Sequence, residues 1–169
     1  MSKYLIKSLG TSIAGTTMMT LSSALMSLEG QEFREPSHLA ALISRLVPGL
    51  SGEGKKLGGW AAHFSMGMAF SFVYVTLWER RMVNPTLKNA MVMGLISSII
   101  GIGIWKTTFW LHPFSPIMNY RRFYIQRIPA HLCFAIFATI GYLLTKKYFK
   151  NTHLKPLVRQ VGLKRTNYE

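Results

Sequence analysis

Residues 60 to 78, WAAHFSMGMAFSFVYVTLW, form an apolar run containing a single ionisable side chain, His63, and the run stops at Glu79-Arg80-Arg81. The hydrocarbon core of a bilayer takes about 20 apolar residues in an α-helix. A backbone in lipid must bond its own polar groups, which leaves the closed helix as the natural form for such a run. Four stretches of this kind occur: Leu9 to Leu28, Gly58 to Trp78, Ala90 to Leu111 and Ile128 to Tyr148. The expected fold is therefore all-α, an integral membrane four-helix bundle over residues 1–150 with a basic cytoplasmic tail over 151–169.

The charge distribution agrees with a membrane protein. Of 169 residues only 15% are charged and 49% are hydrophobic, and there is no Asp; ordinary soluble domains carry about 25% charged residues. The net charge of +14 would suit a nucleic-acid binder if the basic residues ran along the helices. They fall instead between the apolar runs, which argues for lipid and against nucleic acid as partner. With four spans, one side holds twelve Lys and Arg residues and the other eight. That bias puts both termini in the cytoplasm. The single Cys133 allows no intrachain disulfide. No small-residue cleavage site stands out after the first run, so no cleaved leader is expected.

Proline marks the breaks. Asn84-Pro85 separates the second and third runs, and His112-Pro113 and Ser115-Pro116 end the third. Pro129 reads as a first-turn residue of the fourth helix, where a missing N–H costs nothing. Residues 36 to 47, PSHLAALISRLV, are apolar at helical spacing but too short to span, so a short interfacial helix is expected between the first and second spans. GLSGEGKK, 49 to 56, reads as a flexible connector. The run EGQEFRE reads as a solvated charged loop, and YRRFYIQR as an interfacial belt of aromatics and arginines. Lys146, Lys147 and Lys150 are candidates for contact with lipid head groups.

Helices in lipid associate by close backbone approach at small residues. Gly15 in the first run and Gly94, Ser98 and Gly101 in the third are the candidate packing positions. Ser8, Ser12, Thr16, Thr20, Ser23 and Ser27 make a hydroxyl stripe on the first. The bulk sits in the second and fourth runs, so one and three are expected to pack against two and four.

The second and fourth runs align without gaps, AHFSMGMAFSFVY on AHLCFAIFATIGY, bringing His63 over His131 and Tyr74 over Tyr142. Both histidines are expected within roughly 8 Å of their helix entry points, on one surface with His112 and His38. Several readings of these imidazoles stand side by side. They satisfy neighbouring hydroxyls or carbonyls; they join His112 and Glu32 as ligands of a divalent metal; His63 and His131 hold a haem b axially; or they respond to protons. No nucleophile elbow, phosphate loop or zinc-binding motif is present, and no catalytic residue is assigned.

The segments HFSMGMAFSFVYVTLWE, LKNAMVMGLISS and QRIPAHLCF, from about residue 63 to 147, resemble the YagU-type family of small bacterial inner-membrane proteins. The resemblance implies a four-helix membrane bundle without established chemistry. The function expected is that of a non-enzymatic accessory or interaction subunit, partnered by the bilayer and by other membrane subunits or a second copy. A His-ligated electron-transfer or sensing module and a small transporter or proton-conducting subunit are the alternatives.

Overall fold

In a computed structural model the described residues are 2–28 and 30–165, with side chains described for 3–28 and 30–151. They form five helices: α1 (Ser2–Ser27), α2 (Glu35–Leu46), α3 (Gly52–Glu79), α4 (Leu87–Leu111) and α5 (Tyr120–Arg165). Among the described residues there is no strand. Three segments are long and apolar enough to cross a membrane: Gly52–Glu79, Leu87–Leu111 and Tyr120–Asn151. α1 is long enough at 26 residues, but its row of hydroxyls keeps it out of that group.

Local chemistry moves several helix ends away from where the apolar runs put them. Ser51 caps α3, its Oγ accepting the Gly54 N–H at 3.1 Å. The connector is thereby cut to a few residues, and Gly52, Glu53 and Lys55 become helical. Asn119 does the same for α5, its Oδ1 accepting the Arg122 N–H at 3.0 Å. YRRFYIQR is consequently helix rather than interfacial loop. Pro129 then falls in the interior of α5, not in a first turn, and leaves the Ile125 carbonyl without its usual helical donor. α5 continues unbroken past residue 150. The side chains of Lys155, Arg159, Lys164 and Arg165 lie outside the described residues.

α1 packs on α5 and on α3, α4 packs on α5, and α2 lies against α3. Close approach is visible at the glycines. A Cβ on Gly141 would lie 2.8 Å from the Gly10 carbonyl oxygen, and one on Gly15 would lie 2.9 Å from the Phe134 ring. Gly94 faces the Leu132 backbone and Ala135, and the Ser98 hydroxyl donates to the Gly94 carbonyl at 2.7 Å. α2 is seated on α3 through Gly59, where a Cβ would lie 2.3 Å from the Pro36 carbonyl oxygen.

α1 is polar inward and apolar outward, and most of α4 turns small residues inward and large apolar ones outward. α1 buries Ser8, Thr11, Ser12, Thr16, Thr20 and Ser23 while exposing Leu5, Ile6, Leu9, Ile13, Leu21 and Leu25. α4 buries Ala90, Gly94, Ser97, Ser98 and Gly101 and exposes Met91, Val92, Leu95, Ile96, Ile99 and Ile100. In water this would place the greasy faces on the wrong side.

Candidate functional site

The feature on which the helices converge is a cavity of about 160 Å³ below α2, walled by α1, α3, α4 and α5. His63 and His131 both line it. Each lies eleven residues after the first residue of its own helix, so both sit about 16 Å along the axis. That is twice the depth expected from the apolar runs, because α3 and α5 begin earlier than those runs do. The two imidazoles are thus brought together, but inside the bundle rather than beneath its rim.

The Thr20 hydroxyl oxygen lies 2.9 Å from the Thr16 carbonyl and 2.9 Å from His63 Nε2. The Arg127 carbonyl lies 2.8 Å from His131 Nδ1, which must donate. His131 Nε2 is then the bare acceptor, its ring edge lying over Gly101 in the space a Cβ would take.

Above the histidines lies a buried ion pair that the sequence reading missed. Glu35 opens α2 and is 2% exposed; Arg127 of α5 is completely buried. Arg127 Nη1 donates to Glu35 Oε1. Arg127 Nη2 also donates to the Phe33 carbonyl at 2.6 Å, and the guanidinium stacks on the Phe123 ring at 4.4 Å. The Ser23 hydroxyl donates to Glu35 Oε1 at 3.1 Å. The solvated glutamate loop expected here is thus corrected for Glu35. Arg127 stands one helical turn before His131, on the stripe that continues through Phe134 and Ala138 to Tyr142, and that phase was the available signal.

Two polar atoms of this region remain without a hydrogen-bond partner, Glu35 Oε2 and Thr16 Oγ1, and both residues line the cavity. The remaining wall is apolar and aromatic, chiefly Phe70, Trp105 and Phe134. Buried polar atoms are rarely left orphaned in folded proteins.

The other candidate ligands stand apart. His112 caps α4, with Nε2 3.2 Å from the Leu42 carbonyl and Nδ1 accepting the Phe114 N–H at 3.1 Å. Glu32 is held by Arg34 at 2.5 Å and accepts from the Ser27 hydroxyl at 3.1 Å. Arg34 also draws the Glu32 carboxyl down to about 2, well below the usual carboxylate range. His38 packs its ring on Phe123 at 4.9 Å and places Nε2 2.8 Å from the Glu32 carbonyl. Among the described residues no three His, Cys, Asp or Glu side chains gather as a metal ion would require. The expected set of His63, His131, His112 and Glu32 is therefore not assembled. The haem reading also meets an obstacle. The cavity is near the size, roughly 150 Å³, at which a protein interior holds one benzene ring, far short of a porphyrin. Lys146, Lys147 and Lys150 are exposed, Lys146 with its Nζ 5.5 Å above the Tyr142 ring.

Compared with family models, with curated proteins and with solved structures, the chain matches none. Its class therefore rests on the fold itself: an all-α protein with three membrane-compatible helices and a largely apolar cavity among its helices.

Proposed function

We propose that the protein is a non-enzymatic accessory subunit of a bacterial inner membrane that holds a small molecule drawn from the bilayer. In this reading α1, α3, α4 and α5 all span, α2 caps the outer end, and both termini lie in the cytoplasm. The inverted polarity of α1 supports its place as a fourth span: hydroxyls face the bundle and leucine and isoleucine face outward. The observation that carries the binding role is the cavity of about 160 Å³ among the helices, which His63 and His131 both line.

Native mass spectrometry of the chain released from bilayer nanodiscs tests this. One small-molecule adduct per chain is expected, and it is lost in Ile104→Trp, which fills the cavity mouth. A bare chain, together with no rise in Tm across a panel of membrane-partitioning compounds, overturns the reading.

A further inference from the structure

α4 packs on α5, but between α4 and α3 the bundle stands open as an apolar groove of about 340 Å³. Val73 and Leu77 of α3 and Ile96 and Ile100 of α4 line it. Val73 and Ile96 stay about half exposed, at 54% and 53%, so the groove faces outward, toward where the lipid would lie. Its two hydroxyls, Tyr74 and Ser97, are bonded to each other at 2.8 Å, and the other side chains of its wall are apolar. From Met66 to Leu77 the groove follows α3 for about 16 Å. A helix is about 10–12 Å across with its side chains and over that length needs several times the volume present. A single hydrocarbon chain is the occupant that suits so narrow and apolar a slot.

One end of the groove is charged. Met66, Phe70, Val73 and Leu77 follow one stripe of α3, and the next position on that stripe is Arg80, with Arg81 directly after it. Both arginines are exposed, and among the described residues neither side chain has a partner. The neighbouring carboxylate, Glu79, is occupied by Lys7 and by the Tyr142 hydroxyl. The backbone at Arg81 adds a second observation. The Arg81 N–H donates to the Trp78 carbonyl at 3.1 Å and the Met82 N–H to the Leu77 carbonyl at 3.0 Å, a helix ending whose left-handed position glycine usually fills. Here it holds an arginine at φ 58°, the one non-glycine residue with positive φ among those described. Glycine would serve the turn better, so the turn does not account for the guanidinium.

We infer that the α3–α4 groove holds one acyl chain of an anionic phospholipid whose phosphate is bound by Arg80 and Arg81. Guanidinium groups match phosphate oxygens in charge and geometry. A zwitterionic lipid brings the same phosphate together with its own ammonium, which opposes the arginines, so net charge selects the lipid. The site is separate from the small-molecule role proposed for the cavity, because Val73 and Ile96 line the groove alone.

The test is native mass spectrometry of the full chain released from nanodiscs of equal parts phosphatidylglycerol and phosphatidylcholine with the same acyl chains. One retained lipid per chain is expected, with phosphatidylglycerol enriched at least about fivefold, the scale of one basic residue near an anionic head group. Arg80→Gln with Arg81→Gln should bring the retained lipids close to the bulk ratio. Lys146→Gln with Lys147→Gln, on another helix, should leave the enrichment in place. Val73→Trp should displace the chain from the groove and remove the retained lipid; Ile96→Trp does the same from the opposite wall should the first variant fold poorly. Equal retention of the two lipids by the parent chain overturns the inference. So does an enrichment that survives the arginine pair or is lost with the lysine pair, and so does a lipid that stays bound in both tryptophan variants.

Discussion

Each end of the bundle carries a cross-helix ion pair, and the two are built on opposite terms. At the α2 end Arg127 and Glu35 are buried, and Arg127 is further held by the Phe33 carbonyl. At the other end Lys7 meets Glu79 at 2.8 Å with both side chains partly exposed, and Glu79 also accepts from the Tyr142 hydroxyl at 2.6 Å. Beside that second pair Trp78 and Tyr142 stack at 4.7 Å in a closed aromatic core. Beside the first lies the cavity. The far end is built for packing, while the α2 end keeps charge out of water next to empty volume. Such an arrangement is hard to justify by stability alone, because the desolvation of a buried pair often exceeds its Coulombic gain.

The largest effect should come from breaking the buried pair on one side. Arg127→Ala leaves Glu35 charged, buried and unpaired, and should destabilise the fold by about 3–5 kcal/mol. Replacing both members by methionine should restore much of that loss, since well-packed apolar substitutes are often neutral or better. Thermal unfolding in detergent micelles measures both. A single variant as stable as the parent would mean that the two charges do not meet.

This pair is also the part of the site least legible in the sequence. The long apolar runs, the prolines after Asn84 and His112 and the hydroxyl stripe of α1 are local signals with fixed periods, and they located the helices. The alignment of His63 with His131 placed the two imidazoles at matching positions, because an internal repeat carries register. Their depth was misjudged because the Ser51 and Asn119 caps extend α3 and α5 through residues that look like polar loops. Glu35 lies among charged neighbours, and its partner is 92 positions away. No local period records such a contact. The groove between α3 and α4 was equally hidden, since which helices stay apart is decided by packing rather than by any one segment.

A smaller effect follows from pH at the α2 end. Burial lowers the His38 pKa from its ordinary 6.5, against the opposing pull of the Glu32 carbonyl and then the Glu32 charge. A base with a depressed folded pKa is neutral when α2 is docked and takes up a proton more readily once α2 is released. Docking is therefore at full strength above about 6.5 and weakens as pH falls below it toward the folded value. Hydrogen exchange of the α2 amides, corrected for intrinsic rates, should quicken on mild acidification, and His38→Gln should remove the dependence. If the variant and the parent respond alike, the proton acts elsewhere.

The smallest effect belongs to the exposed pair. Lys7 and Glu79 sit where solvent screens their attraction, and fixing two flexible side chains offsets part of the gain. Lys7→Ala should lower stability by no more than about 1 kcal/mol. Glu79 keeps the Tyr142 hydroxyl as a donor after the lysine is gone, so no buried charge is stranded. The difference between Lys7→Ala and Arg127→Ala, read as the Tm shift in the same micelles, measures how unlike the two ends are. Should Lys7→Ala cost as much as Arg127→Ala, the far end is not the screened, closely packed region described, and the contrast between the two ends fails with it. A small loss at Lys7 beside a large one at Arg127 would instead show that the interior charge is held against a real opposing cost.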